Sequence, residues 1–264
     1  MAKVMKGLLN IEGRVIILTG GYGHLGTGMA KGLLAHGANV IVAGRNITKF
    51  EEKFSSFEKK VTFEYCDISS SQSLKELFAK VYSRFSRIDV VVNNAHFIKG
   101  RVIEEITDDD WATTMEGVLG SVYKSIREVT PYLKALKAGK IINISSMYGV
   151  VSPNFSLYEG ENCQKYTNPP HYGAAKAALI QLTKYYAVLL GSYNIQVNCI
   201  SPGPFPKPEI QQNQEFIKRL QQFNPLGKIG KPEDLVGPLI LLASQGSDFI
   251  TGQNIIVDGG WTIW

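Results

Sequence analysis

The sequence predicts an α/β fold in which a doubly wound parallel sheet is flanked by helices on both faces. Short β-rich runs alternate with longer segments of helical periodicity, as in βαβ units. The predicted strands are continuous apolar runs without alternation, which is typical of parallel strands buried on both faces. At 264 residues and 44% hydrophobic content, the chain has the size of a single domain over residues 1–264.

The elements follow one another regularly along the chain. The predicted strands are "RVIILT", "NVIVAG", "VTFEYC", "RIDVVVNN", "KIINISS" and "IQVNCISPG". The predicted helices cover residues 25–36, 73–85, a long stretch from about 108, and 172–190. Ser73 followed by Glu76 matches a capping box for the second helix. Two irregular segments, about 150–170 and 203–230, are rich in Pro, Asn and Gln and are predicted to form surface loops or lids.

Composition excludes several functional classes. The 28 basic and 23 acidic residues give a net charge of +5, and no Lys/Arg run resembles a nucleic-acid-binding arm. Cys66, Cys163 and Cys199 are an odd number without C-x-x-C spacing, so neither a disulfide framework nor a zinc site is expected. No apolar run approaches the ~20 residues of a membrane span, and the N-terminus has no targeting pattern. We therefore expect a soluble cytoplasmic protein without a metal.

The stretch "TGGYGHLG" lies between the first strand and the first helix. Glycines there let the backbone approach a pyrophosphate, and the helix N-terminus offers free N–H groups to it. The alternative is a simple tight turn. We interpret the stretch as a dinucleotide site formed by Gly20, Gly21, Tyr22, Gly23, His24, Leu25 and Gly26.

Two residues after later strands bear on the choice of cofactor. Arg45 follows the second strand, where an acidic residue would bind a ribose 2′-hydroxyl and an Arg pairs with a 2′-phosphate. This favours NADP, with NAD as the alternative. Asp67 follows the third strand, where it either accepts a hydrogen bond from the adenine amine or caps a helix.

Seven motifs in order resemble the short-chain dehydrogenase/reductase family over residues 13–260. They are "TGGYGHLG", "CDIS", "NNA", "INISS", the Tyr172-x-x-x-Lys176 pair, "IQVNCISPG" and "ITGQNIIVDGG". The resemblance implies a Rossmann fold and NAD(P)-dependent interconversion of an alcohol and a ketone. It also implies further cofactor contacts from Ile68, Asn94, Ala95, Pro202 and Gly203, and a sheet-bracing role for Asn93.

The resemblance assigns catalysis to three side chains. Tyr172 exchanges the proton with the substrate oxygen and is also expected to contact the cofactor. Lys176, one helical turn further on the same face, favours the phenolate and binds the nicotinamide ribose. Ser146 holds the substrate oxygen. Ser145 is the alternative serine, but the family's spacing to Gly149 selects Ser146.

Three substitutions depart from the family pattern. Val118 stands where the family has a helix asparagine that helps to relay protons to the lysine. His96 replaces a glycine after "NNA", where it either contacts substrate or simply packs. His24 takes a glycine position of the compact family members, but the remaining glycines keep the turn flexible enough for phosphate.

An insertion is the largest departure, since Ser146 and Tyr172 lie 26 positions apart, about twice the family's usual spacing. The extra residues are predicted to bring hydrogen-bonding groups to the pocket rim, or alternatively to form a subunit contact. The candidate substrate contacts are His96, Ser146, Tyr148, Tyr158 and His171, with Glu161, Asn162 and Lys165 on the same rim.

These features give one leading function and two alternatives. The insertion and "SPGPFP" resemble a branch associated with sugar and surface-glycan precursor metabolism, which favours an oxidoreductase of a carbohydrate-like substrate. A 3-oxoacyl thioester reductase shares the core residues, and Val118 and His96 motivate a non-catalytic NADP(H) sensor or scaffold. The resemblance further implies a homodimer or homotetramer, formed through the helices from about 108 and 172 and the ending "WTIW".

Overall fold

A computed structural model describes residues 7–57, 61–100, 102–159 and 166–263. Seven parallel strands form one sheet in the order β3-β2-β1-β4-β5-β6-β7. The strands are β1 (Val15–Thr19), β2 (Asn39–Gly44), β3 (Val61–Tyr65), β4 (Val90–Asn93), β5 (Gly139–Ile144), β6 (Ile195–Pro202) and β7 (Asn254–Val257). The direction of strand addition reverses between β1 and β4, so a crevice opens at the carboxyl ends of these two strands. The predicted doubly wound fold is confirmed.

Helices cover both faces of this sheet. They are α1 (His24–Ala35), α2 (Ile47–Phe54), α3 (Ser71–Phe85), α4 (Asp108–Met115), α5 (Ser121–Leu136), α6 (Pro170–Gly191), α7 (Pro208–Gln211), α8 (Gln214–Gln222) and α9 (Val236–Ala243). A π-helical turn, Glu116–Gly120, joins α4 to α5 with right-handed helical backbone at both junctions. The predicted long helix from residue 108 is therefore one continuous helix with a π-bulge.

The start of α3 corrects one prediction. Ser73 does not cap the helix, because the hydroxyl of Ser70 accepts the Ser73 N–H at 3.2 Å. The Ser73 hydroxyl instead accepts the N–H of Asp67 at 3.0 Å. The helix therefore begins at Ser71, two residues before Ser73. The prediction of a capping box formed by Ser73 and Glu76 is wrong.

Two apolar clusters explain why the strands are apolar without alternation. Ile16 and Leu18 of β1 face a cluster with α1 and α9, whereas Val15 and Ile17 face a cluster with α3, α5 and α6. Successive strand residues point to opposite faces, and both faces are covered. Burial of each such side chain stabilises the fold by roughly 1.5–3 kcal/mol.

A third apolar cluster lies at the carboxyl end of the sheet. It joins the segment after β5 to α8 and the C-terminal turn, and its buried members are Met147, Tyr148, Leu157, Tyr158, Phe216, Ile217, Leu220 and Trp261. Trp261 of the "WTIW" ending packs within its own chain, Ile263 is 80% exposed, and Trp264 lies outside the described residues. The described part of the insertion therefore packs against α8, which belongs to the segment predicted as a lid.

Three features can be compared with the sequence in the described part of the chain only: a membrane-spanning helix, a metal site and the state of the cysteines. None of its helices is both long and apolar enough to cross a membrane. The same residues hold no group of three or more His, Cys, Asp or Glu side chains placed to bind a metal ion. Cys66 and Cys199 are buried free thiols, and Cys163 lies outside the described residues.

Candidate active site

A cavity of about 890 Å³ lies at the carboxyl ends of the strands. Residues that directly follow β1 to β6 contribute to its wall, as the switch-point geometry predicts. The glycine turn lies at one end and the third apolar cluster lies at the other. Among the described lining residues there is no Asp or Glu, and the cations are Arg45, Lys176 and Lys207.

The glycine turn fits a bound pyrophosphate. Gly20 has φ +65°, and a Cβ on Gly26 would lie 2.2 Å from the carbonyl oxygen of Gly20, so both positions require glycine. No side chain caps the N-terminus of α1, so the first N–H groups of this helix remain free of a capping partner. Gly20, Gly26 and the first residue of the helix line the cavity, and uncapped helix N–H groups of this kind are suited to bind an anion.

His24 does not block that site. Its ring lies near the backbone of Phe205, which also lines the cavity. Burial is the largest effect on the ring and lowers the pKa of His24 below its ordinary value, so the imidazole is neutral at neutral pH. The side chain therefore adds no charge and leaves the helix N-terminus to an anion.

Tyr22 and Arg45 shape the end of the cavity beyond the glycine turn. The Tyr22 hydroxyl accepts the backbone N–H of Arg45 at 3.0 Å and that of Asn46 at 3.3 Å. Gly44 makes room for this ring, because a Cβ there would lie 2.4 Å from the hydroxyl oxygen. The Arg45 side chain is exposed at the end of β2, where its guanidinium is free to meet a ribose 2′-phosphate.

Two predicted cofactor residues lie outside the cavity wall. Gly21 is buried under the turn, where a Cβ would lie 2.9 Å from Val42, so it serves close packing on the sheet. Asp67 forms hydrogen bonds with a nearby residue. Its carboxylate accepts the backbone N–H of Ser69 at 3.0 Å and the Ser69 hydroxyl at 2.8 Å. These bonds to Ser69 hold the pKa of Asp67 below its ordinary value, with Arg45 contributing. The wall is formed by its neighbours in "CDIS", Cys66 and Ile68.

The "NNA" loop is fixed to the end of β1. Thr19 accepts the N–H groups of Asn94 and Ala95 at its hydroxyl, both at 3.0 Å. The preceding Asn93 donates to Asn143 at 2.9 Å and accepts from Ser125 at 2.6 Å. Asn93 thus braces β4 against β5 and α5, while Asn94 and Ala95, which are predicted to contact the cofactor, line the cavity.

Pro202 and Gly203 also line the cavity, at the end of β6. A Cβ on Gly203 would lie 2.5 Å from the Cα of Asp258 in the "VDGG" segment. The Gly203 N–H donates to the carbonyl of Val257 at 2.9 Å. The turn after β6 therefore needs glycine to close on the C-terminal strand and complete this wall.

Ser146, rather than Ser145, lies beside Tyr172. Ser146 forms a hydrogen bond with Tyr172, and its hydroxyl also accepts the N–H of Tyr148 at 3.1 Å. Ser145 donates to the carbonyl of Lys176 at 2.8 Å and so anchors β5 to α6. Burial raises the pKa of Tyr172, and the bond to Ser146 opposes this rise. The phenol is protonated at neutral pH, which is the form that donates a proton.

Lys176 lies one turn along α6 from Tyr172. Its ammonium is 5.7 Å from the centroid of the Tyr172 ring and donates to the carbonyl of Ile144 at 2.7 Å. The side chain is only 2% exposed. This burial lowers the pKa of Lys176 to about 8, although the Cys199 thiol acts in the opposite direction. The amine is therefore charged at neutral pH, but titrates close to it.

The two departures near this pair have different surroundings. Val118 is buried in the π-helical turn, and its apolar side chain offers no hydrogen bond for a proton relay. His96 lines the cavity with its ring centroid 6.1 Å from that of Tyr172. Desolvation by the cavity wall, aided by the charge of Lys176, lowers the pKa of His96 to about 4. A neutral imidazole therefore faces the substrate end.

His171 is not on the cavity rim, contrary to the prediction. It is fully buried, its Nε2 lies 2.9 Å from the carbonyl of Lys99, and its ring centroid lies 6.0 Å from that of Trp111. Neighbouring residues on a helix point about 100° apart, so His171 faces away when Tyr172 faces the cavity. Glu161, Asn162 and Lys165 lie outside the described residues.

The far end of the cavity has an aromatic wall that the sequence did not reveal. Tyr148 and Tyr158 line it as predicted, together with the missed residues Phe97, Tyr166, Asn168, Ile210, Phe216 and Leu220. Phe216 lies on α8, with its ring centroid 4.9 Å from that of Tyr166 and 5.6 Å from that of Tyr158. The sequence feature that could have indicated this wall is the apolar stripe of α8, formed by Phe216, Ile217 and Leu220.

Comparison with known proteins agrees with this geometry. A family model described as enoyl-(acyl carrier protein) reductase matches residues 23–262. The chain is 34% identical to the 3-oxoacyl-[acyl-carrier-protein] reductase FabG of Chlamydia muridarum, over 94% of this chain and 96% of the relative. It is 32% identical to the 2-dehydro-3-deoxy-D-gluconate 5-dehydrogenase of Dickeya dadantii, over 96% of each chain.

A solved structure is similar over nearly the whole length. It is a gluconate 5-dehydrogenase from Burkholderia cenocepacia in complex with NADP and tartrate, with a TM-score of 0.85 and 28% identity. The match covers 97% of each chain. The similar proteins thus include both gluconate-type dehydrogenases and a 3-oxoacyl-[acyl-carrier-protein] reductase.

Proposed function

The chain belongs to the short-chain dehydrogenase/reductase family, and from this premise we propose that it is an NADP(H)-linked oxidoreductase of a carbohydrate-like secondary alcohol or ketone. One observation carries the proposal: the Ser146 hydroxyl, the Tyr172 phenol and the Lys176 ammonium meet in one cavity with an uncapped helix N-terminus. The bound nicotinamide would supply or accept the hydride.

The three side chains handle the proton and the charge. In reduction, the Tyr172 phenol donates its proton to the developing alkoxide, and Ser146 positions that oxygen by a second hydrogen bond. The Lys176 ammonium stabilises the phenolate that remains. In oxidation the same groups act in reverse.

Two substrate classes compete within this proposal. Similarity to a gluconate 5-dehydrogenase and to a 2-dehydro-3-deoxy-D-gluconate 5-dehydrogenase supports a sugar-derived substrate. Similarity to FabG and the aromatic wall support the second candidate, a 3-oxoacyl thioester reductase. The wall's phenol hydroxyls and Asn168 favour the polar class.

Turnover with a panel of ketones tests the proposal. Purified protein with NADPH is expected to reduce keto-sugars faster than 3-oxoacyl thioesters and simple ketones. Faster turnover of the thioesters would establish the second candidate instead. Failure to reduce any member of a broad panel would refute the enzymatic proposal.

Arg45 is proposed to select NADP over NAD. We expect Arg45→Asp to weaken NADPH binding about 10–100-fold and to strengthen NADH binding, because a charge-assisted pair with the 2′-phosphate is replaced by repulsion. Fluorescence titration of both reduced cofactors gives the two dissociation constants. Lys53→Asp makes a similar charge change at an exposed site on α2 and should alter neither. An unchanged preference in Arg45→Asp would contradict the assignment.

A homo-oligomer is proposed to form through α6. Its outer face exposes Tyr185 (64%), Val188 (86%) and Leu189 (49%), an apolar row that is costly to leave in water. Val188→Asp is expected to lower the mass measured by light scattering to that of a smaller species. The exposed Ile47, on α2, provides the control Ile47→Asp. The same mass for Val188→Asp and wild type would place the interface elsewhere.

We further propose that residues 1–264 act as one nucleotide-binding domain. In this arrangement an insertion at about 150–170 borders the active site, and the segment at about 203–230 forms a lid for the substrate. Arg219 of α8 supports this, since it donates to the carbonyls of Leu157 at 3.4 Å and Glu159 at 2.7 Å.

A further inference from the structure

The two phenols at the far end of the cavity form a hydrogen-bonded pair. The hydroxyl oxygens of Tyr148 and Tyr158 are 2.5 Å apart, and the side chains are 7% and 5% exposed. Both line the cavity. One of the two hydroxyl protons forms the hydrogen bond between the oxygens. The pair therefore retains one further O–H donor and free lone pairs for a ligand.

The pair lies close to the reacting position. Tyr148 follows Ser146 by two residues and donates its N–H to the Ser146 hydroxyl. Tyr172 packs against the apolar cluster that contains both phenol rings. Burial raises the pKa of Tyr148, and Tyr158 adds to this rise. Burial also raises the pKa of Tyr158. The pair is therefore neutral at working pH and acts by hydrogen bonding rather than by acid–base exchange.

Tyr158 is held rigidly although it comes from the insertion. Its ring packs on Phe216 of α8, and Arg219 of the same helix binds the backbone on both sides of Tyr158. The Arg219 guanidinium is fixed in turn by Glu215 at 2.5 Å. The hydroxyl is thus preorganised, which lowers the entropic cost of binding a ligand.

Resting on the proposed function, we propose that the Tyr148–Tyr158 pair, called here the phenol pair, recognises a hydroxyl on the carbon next to the reacting one. A hydroxyl both donates and accepts, which matches the pair's remaining donor and lone pairs. The described wall contains no carboxylate to bind such a hydroxyl, and the phenol pair lies next to Ser146 in the sequence and in the wall. The phenol pair would make this protein selective for vicinal hydroxy-ketones and diols.

Matched probes with one or two oxygens test this inference. The ratio of kcat/KM for NADPH-dependent reduction of 2-hydroxycyclohexanone to that for cyclohexanone is expected to exceed about tenfold, the value of one neutral hydrogen bond of ~1.4 kcal/mol. Tyr158→Phe keeps the ring on Phe216 and should bring the ratio near one. Tyr148→Phe should do the same, whereas Tyr65→Phe, at an exposed tyrosine on β3, should keep the wild-type ratio.

A binding measurement separates this inference from the proposed function. Calorimetric titration of the protein with NADP⁺ present should show tighter binding of 1,2-cyclohexanediol than of cyclohexanol, and Tyr158→Phe should abolish the difference. This holds even if no ketone is reduced, in which case only the oxidoreductase proposal fails. Equal affinity of the wild type for the two alcohols, or a difference that survives in both phenylalanine variants, would overturn the role of the phenol pair.

A thioester probe provides a third outcome. The N-acetylcysteamine thioester of acetoacetate has a second oxygen, but it is a carbonyl that only accepts. If this probe is preferred over 2-hydroxycyclohexanone and loses its advantage in Tyr158→Phe, the phenol pair reads an acyl carbonyl. That result would overturn the vicinal-hydroxyl assignment.

Discussion

Tyr172→Phe is expected to reduce turnover about 10³-fold while leaving NADPH binding unchanged. The variant removes only the phenol oxygen, which is the proton donor to the developing alkoxide, and general acid catalysis contributes about 10²–10⁴-fold to rate. The aromatic ring still fills the space beside His96 and Lys176. Steady-state kinetics with the best ketone of the panel and fluorescence titration of NADPH provide the two readouts.

Ser145→Ala is a useful comparison for Tyr172→Phe. Ser145 is adjacent to Ser146 but bonds to the backbone of α6, so its removal should lower stability modestly and keep most of the activity. Turnover that is unaffected by Tyr172→Phe would favour a nucleotide-binding scaffold over an enzyme at this site.

Lys176→Met is expected to remove activity and yet stabilise the fold. Turnover should fall at least about 10²-fold, because the phenolate loses its cation. The native state holds Lys176 with a pKa of about 8, against 10.5 for an ordinary lysine, so burial of this charge costs about 3 kcal/mol at neutral pH. A methionine of similar length avoids this cost, as expected where function and stability conflict.

The pH dependence of this stabilisation has a defined sign. Since the folded-state pKa of Lys176 is lowered, the unfolded chain binds the proton more tightly, and the penalty is fully present below about pH 8. It disappears as the pH rises from about 8 to 10.5. Urea unfolding of wild type and Lys176→Met at pH 7 and near pH 10 should show a gain that shrinks with pH. A variant that is less stable than wild type at pH 7 would contradict this account.

The sequence was sufficient to predict the features that depend on residues close together in the chain. Continuous apolar strands and intervening helices predicted the sheet, and the spacing to Gly149 selected Ser146. A Cβ on Gly149 would lie 2.8 Å from the carbonyl carbon of Lys176, so this glycine allows the loop after β5 to reach α6. The short spacing from Ser146 to Gly149 therefore reflects how the loop after β5 places Ser146 relative to Lys176.

It was insufficient where long-range packing or competing local bonds decide the outcome. Phe216 of α8 joins the cavity wall from a segment far along the chain, and no local pattern shows which surface an amphipathic helix covers. Asp67 was predicted either to contact the adenine or to cap a helix. Ser70 caps the helix, and one carboxylate oxygen of Asp67 accepts from Ser69 in an Asx-type turn. Ser70 displaced Ser73 as the cap of α3 for a similar reason, since several serines compete at that helix start.

Transfer of deuterium from NADPH that carries deuterium at both hydrogen positions of nicotinamide C4 tests the central claim most directly. Incubation of the wild type with the labelled cofactor and each ketone of the panel should give an alcohol with deuterium on the former carbonyl carbon, detected by mass spectrometry. Tyr172→Phe should bind the same cofactor and form about 10³-fold less labelled alcohol in the same time. Absence of label from every product of the wild type, despite bound NADPH, would contradict the assignment of this cavity as the active site of an alcohol–ketone oxidoreductase.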